Sequence, residues 1–344
     1  MNTTALLYRL LGTDPAAGPA ELLHRARGAR HLPHLVLSSL DRDGVRMGGP
    51  ARAELRRAHD RAAHYARLAE ELAVSTGVRA IRGLPLAGYY PSGLLRPLDT
   101  LDLVAPDEAA LWQAVVRIVT DHPVERIDVS LFGTHPHHTA VTLRWPAEDP
   151  LADPWFRVHL TTAALPGDGA TVPVRPFLVA EEPVECLIAL AETRLHGSRG
   201  TPCPVTVLDL AGLAGRSFEP AETAAVLAAY RLAPEAAELL DHADRHLPLG
   251  RLAEVRTALA PELAPEHRRR ARAADAHRPP VRRGVLLRRT VIRHSWDEAR
   301  LLTPTPETAL LLTPVADYLL APTPATSRTR ATALRALHHW DTLC

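Results

Sequence analysis

Apolar residues recur at helical intervals through residues 50–73, at Leu55, Ala58, Ala62, Tyr65, Leu68 and Leu72, with Arg, Glu and Asp largely between them. That spacing gives one apolar stripe and predicts an amphipathic surface helix. A shorter helix is expected over 20–28, so the first 75 residues read as mostly helical. The pattern changes at 78–82, where strand signals begin, and Leu101–Val104 reads as a second, apolar strand. A helix is expected over 106–120, with Asp107 and Glu108 in its first turn, where negative charge suits the helix dipole. Arg126–Phe132 and 139–145 alternate as two arms of a hairpin across 133–138, and Phe156–Thr161 reads as a further strand. These elements predict a mixed sheet flanked by helices.

Composition shifts near 173–176. Beyond it the chain is rich in Ala, Leu and Glu, with helices expected over 182–195, Pro220–Ala229, 234–246 and 249–259. Pro recurs at or near the first turn, where its missing donor costs nothing. Residues 265–280 are basic and flanked by Pro, and read as a linker or a solvated helix. The tail from Val281 reads as helical segments broken by Thr-Pro pairs. The expected class is α/β (α+β), with a mixed-sheet domain over 1–175, carrying a helical N-terminal extension, and a mostly helical domain over 176–344.

Composition narrows the chemistry. Of 344 residues, 46% are hydrophobic but only 4% aromatic, so the core must be built mainly from Leu, Val and Ala. No run of 18 apolar residues is present and the first residues lack a basic start followed by a long apolar run, so neither a membrane span nor a secretory signal is expected. A formal charge of +1 gives no general electrostatic case for nucleic acid. All 40 basic residues are Arg. Without Lys there is neither a Schiff base nor a Walker-type contact, and any cationic partner is a guanidinium or an imidazole. Cys186, Cys203 and Cys344 are odd in number and far apart, which fits a reducing cytoplasm.

The run from Ile81 to Val104, IRGLPLAGYYPSGLLRPLDTLDLV, carries Arg82-Gly83, then a small-apolar helix leading to Tyr90-Pro91, then Arg96-Pro97, then Asp102 followed by apolar residues. It resembles an uncharacterised bacterial nucleotidyltransferase family of the polymerase-β-like superfamily, often found in biosynthetic clusters. Val158-His159-Leu160, the helix at 183–195 and Leu208-Asp209-Leu210 continue the resemblance at motif level. The resemblance implies a nucleotidyltransferase-fold mixed sheet followed by a helical half. It also implies transfer of a nucleoside monophosphate from a nucleoside triphosphate, with magnesium, to a hydroxyl of a small molecule or peptide.

In the parent site two carboxylates one residue apart share a strand face, a third comes from a neighbouring strand, and together they hold two hard cations. This sequence departs from that pattern three times. Asp102 matches the second carboxylate, but Thr100 takes the first position, and Asp99 would need a bulge or bend to reach the same face. Arg82 replaces Lys before Gly83. Arg157 stands where the third carboxylate belongs, leaving Asp128 as a nearby acidic substitute. The expected site is therefore Asp102, with Asp99 or Asp128 assisting the metal, Arg82, Gly83, Thr100 and Arg96 at the substrate, and His159 with Arg157 on one strand face. The alternative is a repurposed, metal-independent tailoring enzyme or a non-catalytic relic that binds a peptide or small molecule, using His159, Arg157 and Arg96.

Other clusters have plainer readings beside a functional one. His135-Pro136-His137-His138 is a hairpin tip or a metal-binding loop. The basic residues Arg268, Arg269, Arg270 and Arg272 are a solvated stretch or a nucleic-acid contact without interleaved aromatics. Glu181, Glu182 and Glu185 complement a helix dipole. His338-His339-Trp340 reads as an anchoring cap. No Gly-x-Ser-x-Gly elbow, Rossmann fingerprint, Walker A sequence or His-Glu-x-x-His is present.

Overall fold

The structure, a computed structural model, describes residues 2–28, 32–133, 137–178, 180–197, 202–273, 281–305, 308–321 and 326–343. The N-terminal region holds α1 (Thr3–Leu10), α2 (Gly18–Ala26), α3 (Leu32–Arg42) and the long α4 (Gly49–Thr76). There follow β1 (Arg79–Ile81), α5 (Gly83–Ala87), β2 (Leu101–Val104), α6 (Glu108–Asp121), β3 (Arg126–Phe132), β4 (His138–Trp145) and β5 (Phe156–Thr161). Helix α6 starts where Asp107 accepts the Ala110 N–H at 2.8 Å, and α4 stops at Gly77, whose φ of 74° closes the last turn.

One face of this sheet is apolar because side chains alternate along each strand. Leu101, Leu103, Val158, Leu160, Val141, Leu143, Ile127 and Val129 form a single buried cluster with Tyr65, Leu68 and Leu72 of α4 and Leu111, Trp112, Val115 and Ile118 of α6. Each such side chain contributes about 1.5–3 kcal/mol on burial, so this layer fixes the strand register.

The helical stretch comprises α7 (Glu182–His196), α8 (Pro204–Ala214), α9 (Pro220–Ala229), α10 (Ala233–Asp244) and α11 (Leu252–Arg272). Its core includes Leu187, Ile188, Leu239, Leu240 and Leu252, and is continuous with Leu7, Leu22 and Leu35 of the N-terminal helices. Helix α11 runs through Pro261 and Pro265 to Arg272, so the stretch read as linker or solvated helix is helical as far as it is described.

The tail departs from the helical expectation. It forms β6 (Arg282–Arg289), β7 (Arg300–Thr305), β8 (Thr308–Leu312) and β9 (Ala316–Ala321), then α12 (Ser327–Leu343). Strand β6 pairs antiparallel with β3 through Ser130↔Arg283 and Leu131↔Arg282, so the tail continues the first sheet, giving the order β1-β2-β5-β4-β3-β6-β9-β8-β7. The apolar runs here are at most four residues long, a length at which periodicity does not separate a buried strand from a helix. Leu310, Leu312 and Leu319 are buried under Ala333 and Leu337 of α12, with Trp340 partly buried against the same cluster. Among the described residues no helix is long and apolar enough to cross a membrane.

Candidate functional site

The opposite face of the sheet carries the polar candidate residues beside two small apolar clusters around Ile81 and Val104 and around Ala140, and its register places them in rows. Ile81, Asp102, His159, Thr142 and Asp128 stand directly opposite one another along β1, β2, β5, β4 and β3. Two residues along, Arg157, Arg144 and Arg126 form a parallel row, and on the other side Val104, Thr161, Ala140 and Ser130 form a third. Register partners share a face, so these side chains rise from one surface.

At the edge of this face β1 hands over to α5 through Arg82, held at φ 63° and ψ −109°. Gly83 follows because the chain passes close to its neighbours. A Cβ there would lie 3.0 Å from both Arg96 Nη1 and Leu98 Cδ2. The bend delivers the Arg82 guanidinium between two carboxylates. Nη2 donates to Glu192 Oε2 at 2.8 Å, and Nη1 lies 3.7 Å from Asp102 Oδ1. Glu192, on α7, is fully buried. Its other oxygen accepts from the Gly167 N–H at 3.3 Å and lies 3.7 Å from His196 Nε2.

The electrostatics follow from burial and these guanidinium groups. Burial raises the pKa of Asp102, opposed by the charges of Arg82, Arg157 and Arg96. Burial, followed by repulsion from Arg82 and Arg157, lowers His159 to about 4. His159 is therefore a neutral imidazole at pH 7, with Nδ1 3.0 Å from Thr142 Oγ1.

Above part of this face opens a cleft of about 1690 Å³, lined on the sheet side by Arg82, Ser130, Ala140, His159 and Thr161. The loop 166–174 and the helical residues Arg231, Glu235, Arg269 and Arg270 form the facing wall. The loop is fixed from within. Burial alone would raise the Asp168 carboxyl, but hydrogen bonds from the Thr171 hydroxyl and the N–H groups of Val172, Ala170 and Thr171 bring it to about 2. Gly167, at φ 62°, permits the turn, since a Cβ would collide with the Val172 carbonyl oxygen. Arg269 reaches across to the Thr171 carbonyl. On the helical wall Arg270 grips Glu235 at 2.5 and 2.8 Å, and Glu266 accepts from both Arg269 and Arg270. Arg82 and Arg231 are the two described non-glycine residues with positive φ, at 63° and 62°, and both line this cleft.

The remaining expected site residues are dispersed. Arg96 is committed to Asp209, with Nε–Oδ1 2.7 Å and Nη2–Oδ2 2.9 Å, and Tyr90 donates to the same carboxylate at 2.8 Å. That fork fastens the connection from α5 to β2 onto α8 and leaves Arg96 no second planar grip for a substrate. Thr100 precedes β2 and is partly exposed. The Asp99 carbonyl accepts from Tyr65 Oη at 3.2 Å, while the Asp99 carboxylate lies close enough to push the Asp102 pKa upward. Asp128 shares the Asp102 row but is exposed and paired with Arg144 at 3.2 Å. Three strand intervals, about 14 Å, separate it from Asp102, whereas the cations of a two-metal clamp sit about 3.5–4 Å apart. Asp128 is thus not a co-ligand of Asp102. Among the described residues no group of three His, Cys, Asp or Glu could hold a metal ion.

His135 lies outside the described residues, so the His-rich loop is not described as a unit. His138 lines the cleft, and His137 Nδ1 is 3.1 Å from the Gly133 carbonyl oxygen. Sequence reasoning gave no role to Glu192, although an acid directly after the apolar run 186–191 of α7 was a signal for a buried ionic partner. Asp209 was another, as the one charged residue of α8. Comparison with known proteins finds no match to a family model, a curated protein or a solved structure.

Proposed function

We propose that this chain is a nucleotidyltransferase-like protein whose site has exchanged its divalent metal for a guanidinium. It binds a phosphate-bearing small molecule or modified peptide in the cleft without metal, as a repurposed tailoring enzyme or a binding relic of a bacterial biosynthetic pathway. The observation that carries the reading is Arg82 between Asp102 and Glu192. Arg82 occupies the one matching carboxylate, Asp102, while Arg157 on the adjoining strand stands where the resemblance puts a third carboxylate, so a metal ion there would meet direct repulsion. The glycine turn after β1, the short α5 and Asp102 on β2 support the parentage. The free thiols of Cys186 and Cys203 agree with a reducing cytoplasm.

In this reading neutral His159 is oriented by its Nδ1 contact with Thr142 and presents its remaining ring nitrogen, Nε2, to the ligand. The parent reaction, transfer of a nucleoside monophosphate to a hydroxyl acceptor, demands magnesium, and one titration separates the two. ATP is added to the full chain in a calorimeter, once in EDTA and once with magnesium. Heat of binding in EDTA that weakens in His159→Ala supports the metal-free cleft. Binding seen with magnesium alone, and lost in Asp102→Ala, restores the parent reaction.

A further inference from the structure

One row beyond the cleft lining, Arg126, Arg144 and Arg157 stand directly opposite one another on β3, β4 and β5. Like charges placed this way across strands are destabilising. Asp128 lies 3.2 Å from Arg144, and Asp102, shared with Arg82 at 3.7 Å, feels the charge of Arg157. The Nε atoms of Arg144 and Arg157 are buried and have no hydrogen-bond partner, a costly state for a charged donor. Arg126 lies over the Trp155 ring at 5.2 Å, which holds it at the end of the row. Three guanidinium groups in cross-strand alignment thus outnumber the carboxylates Asp128 and Asp102 beside them, which leaves the row a positive strip whose terminal nitrogens suit anions.

We propose that this row is an oligophosphate-binding site, receiving the di- or triphosphate group of the ligand whose remainder enters the cleft. Guanidinium forks match phosphate oxygens in pairs and need no metal to neutralise them. Two strand intervals span about 10 Å, which suits a chain of adjacent anions more than a single one, while carboxylates on one face of an extended peptide recur only every ~6.7 Å. The row lies about 7 Å along the strands from His159 and Asp102, so a phosphate chain seated on it reaches the cleft residues. The inference rests on the metal-free cleft proposed above and adds its substrate class.

The test is calorimetry on the full chain in EDTA, with inorganic tripolyphosphate and orthophosphate as probes. The expected result is tripolyphosphate binding at least about tenfold tighter than orthophosphate, falling about tenfold in both Arg144→Gln and Arg126→Gln. Arg126→Gln should also raise the melting temperature of the ligand-free protein by about 1–3 °C through relieved repulsion, a shift that a merely structural arginine would not give. Circular dichroism checks folding; should Arg144→Gln fail it, Arg126→Gln decides alone. Equal affinity for the two anions, or tripolyphosphate affinity unchanged by the substitutions, overturns the inference. ATP binding in EDTA that depends on His159 but ignores both arginines overturns it while leaving the cleft reading intact. Arginine-dependent tripolyphosphate binding with no ATP binding does the reverse.

Discussion

Arg82 and Glu192 are 110 residues apart in the chain yet form a 2.8 Å ion pair that ties the edge of the sheet to helix α7. Glu192 is fully buried, where the guanidinium and the Gly167 N–H meet its two oxygens. Arg82→Ala would leave Glu192 and Asp102 without their shared cation. Removing one partner of a buried pair costs about 3–5 kcal/mol. Denaturant unfolding should show a loss of this size, and Arg82→Ala combined with Glu192→Gln should recover part of it. A loss under 1 kcal/mol in the single variant would mean that the network is solvated.

His159 makes the native protein sensitive to acid. Its pKa is about 6.5 when unfolded and about 4 in the folded chain. Between these values the unfolded state binds the extra proton, so stability falls as pH drops from 6.5 toward 4 and levels off below. The full span is at most about 3 kcal/mol. Asp102, whose pKa is raised, contributes with the opposite sign in the acid range. The informative quantity is therefore the difference between wild type and His159→Gln. The variant should be markedly flatter from pH 6.5 to 5 in melting temperature, and parallel curves would show that His159 is not held neutral.

Arg231 sits at φ 62°, a backbone region that costs most residues about 1–2 kcal/mol and glycine little. Its closest carboxylate, Glu266 at 3.7 Å, is already bonded by Arg269 and Arg270. Arg231→Gly should thus raise stability by roughly 1 kcal/mol in urea unfolding. A clear decrease would show that the side chain, not the backbone, dominates.

Asp317 is buried on β9, where it accepts from Arg288 Nε at 2.7 Å and from both terminal nitrogens of Arg293 at 2.7 and 3.1 Å. Asp317→Ala leaves Arg293 with the Thr313 carbonyl alone, while Arg288 keeps Asp341, and should destabilise by about 3 kcal/mol. Because β6 joins the sheet at β3, hydrogen exchange should then accelerate first in β6–β9 and later in β1–β5. Uniform acceleration would mean that the nine strands open as one unit.

Parts of this arrangement were legible in the sequence where periodicity was strong. The stripe of α4, the alternation of β3 and β4, and the Asp107 cap of α6 each reflect local chemistry, and those elements lie where that chemistry puts them. The row uniting Asp102, His159 and Asp128 was half legible. Alternation fixes which face each side chain takes, but strand order decides how far apart they stand, and order is a long-range property. Asp128 shares the face and misses the site by that distance. The β6–β9 strands were illegible because short apolar runs such as Ala309–Leu312, ended by Thr-Pro, fit turn-broken helix as well as buried strand. The role of Arg96 could not be read without its partner, since Asp209 lies 113 residues away.

Manganese titration followed by electron paramagnetic resonance tests the central claim most directly, because it reports a divalent ion with no ligand or turnover required. With Arg82 already seated between Asp102 and Glu192, the wild-type protein should leave manganese free at millimolar concentration, in the presence of orthophosphate and in its absence. A tight manganese site in the wild type that disappears in Asp102→Ala would contradict the account and return the cleft to two-metal chemistry.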